Sequence, residues 1–325
     1  MRPLLEVRDL SLNFETEEGT AKVLDRVSFD IRPGEVFGLV GETGCGKTVT
    51  ALTILRLLPR SARIRSGEIH FSGENLVEWR DEEIAARIRG KRISMIFQDP
   101  ATSLNPLYPA GEQIARVMMV HEGLENKQAE ARALGLLRRV GLPDPERVLR
   151  SYPHELSGGM QQRVMISMAL ACRPELIIAD EPTTAVDVTI QAQILELLLQ
   201  LKREFGLSVL LITHNLGIVA ETCDRVGVMY AGTVVEIART EDLFRDPSHP
   251  YTQALLRALP NADARGQPLK AIPGLVPSLL EPPAGCRYHP RCDFAMPSCA
   301  RRRPELLEHR TEHWAACLLH EGVKE

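Results

Sequence analysis

The stretch that most restricts what this chain can fold into is "EVFGLVGETGCGKTVTALTILRLL", Glu35 to Leu58. A short buried apolar run leads into a glycine-rich loop, and an amphipathic run follows, so the local order is strand, loop, helix. Within it "GETGCGKT", Gly41 to Thr48, satisfies G-x-x-x-x-G-K-T/S. The glycines let the backbone wrap around phosphate oxygens so that N–H groups and the start of the helix point at the anion. Lys47 supplies a point charge for β and γ phosphates, and the Thr48 hydroxyl is suited to Mg2+. The candidate contacts are Gly41, Glu42, Thr43, Gly44, Cys45, Gly46, Lys47, Thr48 and Val49. Cys45 reads as a small side chain at a variable loop position rather than a redox group.

A second element, "ELIIADEP", Glu175 to Pro182, ends a buried apolar run in two carboxylates. Asp180 is placed to reach the metal's water shell, and Glu181 stands where a base would polarise a water aimed at the γ phosphate. Around these motifs the pattern alternates. The first 40 residues read as antiparallel strands with turns at Glu17–Gly19 and Pro33–Gly34. Strand-like "ELIIAD" and "SVLLIT" are each followed by helix-compatible sequence, and residues 99–163 read as a helical insertion containing "AGEQIARVMMVHEG" and "KQAEARALGLLRRVG". Beyond Asp246 the chain turns rich in proline, histidine and cysteine.

With 325 residues, two domains are expected, and the 44% hydrophobic and 25% charged composition is that of a globular protein. Forty-three acidic against 39 basic residues give a net charge of -4, no general reason to bind nucleic acid or an anionic membrane. The amino terminus shows no secretion signal and no apolar run nears the about 18 residues needed to span a bilayer, so the expectation is a cytoplasmic chain.

"ELSGGMQQRV" places Ser157, Gly158 and Gly159 at a helix start but offers no lysine to hold an anion. Beside the two motifs above it resembles the signature sequence of ATP-binding cassette (ABC) transporter ATPases, over about residues 4 to 245. The resemblance implies an α/β fold: a P-loop NTPase ABC cassette, RecA-like, with an antiparallel β subdomain and the helical insertion, plus a small carboxy-terminal extension. It also implies that the signature residues meet the γ phosphate of ATP held by a neighbour's loop, which already carries a lysine. Further positions match one at a time. Phe14 corresponds to the ring that stacks on adenine, Gln98 in "IFQDP" to the glutamine that meets Mg2+ and the attacking water, and His214 to the switch histidine. Asp187 corresponds to the aspartate that communicates between sites. Val186 stands where leucine is common. The implied catalytic set is Glu181, His214 and Gln98; Mg2+ would be held by Thr48, Gln98 and Asp180. Two rivals, a soluble cassette acting on nucleic acid and a non-enzymatic metal sensor, fit the acidic balance and the complete catalytic set poorly.

"RDPSHPYTQALLRALP" and "IPGLVPSLLEPPAGCRYHPRC" resemble the oligopeptide, dipeptide and nickel importer branch. The implied division is a nucleotide-binding domain over 1–245 and a transporter extension over 246–325, with His249, Pro250 and Tyr251 as packing residues and Tyr251 a buried anchor. The implied activity is ATP hydrolysis that drives an importer, with peptide the commonest cargo. Implied partners are a second, related ATPase subunit, two transmembrane permease subunits and, indirectly, an extracytoplasmic substrate-binding protein. The chain would sit peripherally on the cytoplasmic face of the inner membrane. Four of seven cysteines, Cys286, Cys292, Cys299 and Cys317, crowd the tail with five, six and seventeen residues between them. Thiolates so spaced suit a 4Fe–4S cluster or tetrahedral zinc, with His289, His313 and His320 as alternative ligands, or hold no metal at all. Importer ATPases with a similar tail hold an iron–sulfur cluster, which makes that the expected cofactor beside ATP and Mg2+.

Overall fold

The structure is a computed structural model that describes residues 2–184, 187–259 and 272–320; Val186 lies outside the described residues. The chain groups into two units, one comprising Met1–Ile31, Phe37–Val77 and Thr213–Glu325, the other Arg32–Val36 and Glu78–Ile212.

In the first unit β1 (Leu5–Thr16) and β2 (Gly19–Ile31) form an antiparallel hairpin. The sequence pattern carries a parity problem: Leu5, Val7, Leu10 and Leu12 are all buried, although odd and even positions of a regular strand face opposite ways. A register shift between Val7 and Leu10, with Asp9 at a φ of 45°, resolves it by inserting one extra residue. Arg26, at a φ of 48°, does the same between Leu24 and Val27 of β2. After β3 (Val36–Val40), β4 (Ala62–Phe71) pairs with β1 and with the two-residue β5 (Glu74–Asn75). The helix expected over "KTVTALTILRLL" spans only Lys47–Ile54. It stops because Arg56 takes a left-handed backbone, φ 54°, which an α-helix does not accommodate.

The second unit carries three parallel strands, β6 (Ile93–Ile96), β7 (Leu176–Asp180) and β8 (Ser208–Thr213). Every residue of β7 is buried, as expected where parallel strands are covered on both faces. The stretches read as helices are Ala110–Glu122 and Asn126–Arg139, joined by Pro145–Arg150, Gly158–Leu170 and Val188–Phe205.

Back in the first unit, β9 (Arg225–Tyr230) runs parallel to β3 and antiparallel to β10 (Thr233–Arg239). The tail then adds a hairpin, β11 (Leu307–Arg310) and β12 (His313–Ala315), with β12 pairing onto β10 through Glu236↔Ala315. The tail is thus part of the sheet that carries the strand before the glycine loop.

Candidate active site

Gly41 opens the loop at the end of β3. A Cβ there would lie 2.1 Å from the Met229 carbonyl oxygen and 2.8 Å from Cys45 Sγ, and its φ is 153°. Only glycine fits such a close backbone approach. Gly46, the residue before the helix, has a φ of 107°. Lys47 Nζ is folded back over the loop and donates to the carbonyls of Gly41, at 2.8 Å, and Glu42, at 3.1 Å. Thr43, Gly44 and Thr48 are exposed, and Val49 is half-buried. Cys45 is buried, and burial pushes its thiol above the ordinary value with Lys47 only partly offsetting. That agrees with its reading as a packing residue, since the thiolate is the reactive form. Phe14, at the end of β1, stands opposite Ala21 and Ala62 and is half-exposed, outside the buried core. His214 follows β8, is exposed, and precedes Asn215, whose side chain caps the next helix.

The second unit brings Gln98 and Glu181 together: Gln98 Nε2 donates to Glu181 Oε2 at 3.1 Å, and Thr184 Oγ1 donates to the same oxygen at 2.9 Å. Asp180, the last residue of β7, is 2% exposed. Glu181 itself has a φ of 45° and its N–H is fixed by the Ile212 carbonyl at 2.8 Å. A non-glycine residue there is strained, and such strain concentrates at functional sites. Ser157 caps the helix Gly158–Leu170, accepting from Met160 N, and Ser157 and Gly158 are exposed. Asp187 likewise caps Val188–Phe205 through Ile190 N at 3.0 Å. The two capped starts are neighbours: a Cβ on Gly159 would come within 3.0 Å of Ile190 Cγ2.

Sequence reasoning did not foresee what the tail does around the loop. Tyr251 is fully buried, as expected, and its Oη accepts from the Glu42 N–H at 3.0 Å. It packs with Tyr230 and Tyr288 at ring separations of 4.6 and 5.3 Å. Arg291 grips the Glu42 carboxylate with two hydrogen bonds, 2.8 and 3.1 Å. Buried Glu236 organises the segment before Tyr251, accepting from the N–H groups of Ser248 and His249 and pairing with His313 Nε2 at 2.7 Å. Burial alone would raise its pKa, but these hydrogen bonds outweigh it and hold the carboxylate below its usual value. No signal short of a motif match flagged these contacts, because their partners lie 209 and 249 residues apart in sequence.

The cysteines need a correction. Among the described residues no three His, Cys, Asp or Glu side chains are disposed to hold one metal ion, so Cys286, Cys292, Cys299 and Cys317 do not form a closed coordination set here. All four are free thiols. They are nonetheless near one another: burial pushes Cys286 and Cys317 up to about 11, and the charge of the neighbouring thiols adds to the shift. Backbone N–H groups of Tyr288 and Leu319 point at the Cys286 and Cys317 sulfurs and work the other way.

The family model described as ABC transporter matches residues 24–184, and the one described as oligopeptide/dipeptide transporter, C-terminal region, matches 235–299. A peptide ABC transporter ATP-binding protein of Sinorhizobium fredii, y4tR, is 53% identical across 97% of this chain and 94% of its own. The oligopeptide transport ATP-binding protein AppD of Bacillus subtilis is 47% identical across 99% and 98%. The dipeptide transport ATP-binding protein DppD of Escherichia coli is 48% identical across 93% and 92%. Among solved structures, the dimeric ATP-binding cassette MJ0796 in a post-hydrolysis state with ADP and phosphate overlays with a TM-score of 0.65 at 28% identity, over 73% of this chain and 98% of that one. The phosphate loop after β3, the paired carboxylates at the end of β7 and near full-length identity close to one half all agree: this chain belongs to the ATP-binding proteins of the ABC transporter family and has that family's P-loop cassette fold.

Proposed function

We propose that this chain is the ATP-hydrolysing subunit of a membrane importer for dipeptides or oligopeptides. Two cassettes face each other head to tail, each offering its phosphate loop to one ATP and its Ser157–Gly159 helix start to the other. The nucleotide-binding part is residues 1–245, and 246–325 form the extension. The opposing cassette is a related ATPase chain, and the pair acts on two permease subunits from the cytoplasmic face of the inner membrane. Among the described residues no helix is long and apolar enough to cross a membrane, in keeping with attachment through such partners. An extracytoplasmic binding protein delivers the peptide. Binding energy that exists only with the γ phosphate in place supplies the differential affinity a switch requires.

The observation that carries this reading is the setting of Glu181. Its carboxylate is held by Gln98 and Thr184 on a strained backbone just past a buried aspartate, the placement a base needs to orient water. Lys47 and the loop amides hold the phosphates, Phe14 the adenine and His214 the γ phosphate. Asp187, which caps the helix beside the Ser157 helix start, communicates between the two nucleotide sites. Thr48, Gln98 and Asp180 are oxygen donors, the class Mg2+ takes, and that ion would neutralise phosphate charge. Replacing Glu181→Gln should leave ATP binding intact and trap a closed dimer, read by size-exclusion chromatography with ATP; hydrolysis at the wild-type rate would remove the glutamate from the role of base.

We assign the four tail thiols to an iron–sulfur cluster on donor chemistry alone, since their described arrangement does not close on a metal. No step of the reaction passes through it. Protein purified without oxygen should contain iron and sulfide; iron-free material from such a preparation would end the assignment.

A further inference from the structure

Among the described residues, two tail side chains, Tyr251 and Arg291, meet the phosphate loop at Glu42 and hold it in two ways. Its N–H is bound by the Tyr251 hydroxyl at 3.0 Å, and its carboxylate is held bidentately by Arg291. The Arg291 side chain is 5% exposed and that of Glu42 26%, so the pair is sheltered on one side and neither charge is easily released. Arg291 is fixed in turn by the Pro273 carbonyl at 2.9 Å and by Tyr230 Oη at 3.3 Å.

The consequence follows from peptide geometry. In a planar trans peptide the N–H and C=O point in opposite directions. Binding the Glu42 N–H to Tyr251 therefore turns the Gly41 carbonyl to the other side, where Lys47 Nζ takes it at 2.8 Å. The Glu42 carbonyl is the second acceptor of the same ammonium. We infer that Tyr251 and Arg291 are positioning residues of the phosphate loop: by fixing Glu42 they fix the two carbonyls that place the Lys47 ammonium, and so set affinity for the nucleoside triphosphate.

The tail is thereby a working part of the nucleotide site rather than a packing appendage. Arg291 closes the short turn His289–Arg291, bracketed by Cys286 and Cys292, and Cys286 is anchored through its N–H to the Cys299 carbonyl at 2.8 Å. Any change that shifts this cysteine-bearing turn acts on Glu42 directly. The inference rests on the reading that Gly41–Thr48 binds ATP, and the test separates the two.

Binding of a trinitrophenyl-ATP probe to the full chain is measured for wild type, Lys47→Ala, Tyr251→Phe, Arg291→Lys, Arg291→Met, Glu42→Gln and the double variant Glu42→Gln/Arg291→Met. Arg291→Met should weaken binding about tenfold, within the range usual for coupled sites, with the smaller loss in Arg291→Lys. The double variant should be no weaker than the worse single one, since both remove the same contact. In ATPase assays with the partner subunits the loss in Arg291→Met should fall on KM rather than kcat, whereas a tail that only stabilised the fold would lower kcat through the active fraction. Tyr251→Phe keeps the buried ring and removes only the hydroxyl, so it tests the same idea if Arg291→Met does not fold. Unchanged affinity in Tyr251→Phe and Arg291→Lys, or additive losses in the double variant, overturns the inference. Unchanged affinity in Lys47→Ala overturns the loop reading instead.

Discussion

His249 offers a test of the tail by pH. The side chain is 1% exposed, and burial, aided by the charge of His320 and opposed by Glu236, pushes its pKa down to about 4. Neutrality is built into its role, because Nδ1 accepts the Tyr251 N–H at 3.0 Å and caps the helix Pro250–Arg257. The unfolded imidazole titrates near 6.5. Between that value and about 4 the unfolded chain takes up a proton that the folded chain refuses, so acid favours unfolding. The contribution is complete above the unfolded value and shrinks as pH falls toward the folded one. Linkage gives a loss of about 2 kcal/mol between pH 7 and about pH 5, a sizeable share of an ordinary domain's stability. Glu236 also loses stability in acid, but its carboxylate is held below the usual 4.5, so its loss belongs to a lower window. The perturbation is His249→Asn, whose amide oxygen can still cap the helix and does not titrate. The assay is denaturant unfolding at several pH values, followed by fluorescence of Trp314 in a Trp79→Phe background, since the chain has two tryptophans and Trp314 lies in the unit that holds His249. Wild type should lose about 2 kcal/mol more than the variant over that span. Parallel pH profiles for the two would refute the reasoning.

Other outcomes follow from contacts described above. Gly41→Ala would force a methyl to within 2.1 Å of the Met229 carbonyl, so the loop must shift and ATP binding should be lost even if circular dichroism stays native; retained binding would contradict the close approach. Ser157→Ala removes a helix cap, costing about 1 kcal/mol in thermal unfolding. It should also weaken ATP-driven dimerisation in a Glu181→Gln background, and unchanged dimerisation would separate Ser157 from the neighbour's nucleotide.

What was legible in the sequence was whatever chemistry is local. The phosphate loop packs its glycines, lysine and threonine into eight consecutive residues between a strand and a helix, so pattern alone locates it. Asp180 and Glu181 were readable because a fully apolar run ends on them. Ser157 and Asp187 were singled out through resemblance; the Ser157 cap was also readable from its residue type, and the structure adds that Asp187 caps a helix too. The Gln98–Glu181 hydrogen bond was not readable from spacing, because it joins the ends of two strands paired only in the fold. The burial of Tyr251 was readable from its His-Pro-Tyr setting, but the grip of Tyr251 and Arg291 on Glu42 was hidden, since nothing local pairs either with residue 42. The helix after Lys47 ended early for a backbone reason at Arg56 that no hydrophobic pattern encodes.

The twisted backbone at Glu181 has an evolutionary corollary. A left-handed conformation disfavours a branched-out side chain by about 1 kcal/mol relative to glycine. Glycine at position 181 would relax the backbone while deleting a carboxylate that accepts from Gln98 and Thr184, and on the proposed role of Glu181 the relaxed molecule would turn over no nucleotide. Selection for robustness and selection for turnover pull in opposite directions at this one residue, and libraries screened only for thermal resistance should enrich the inert form.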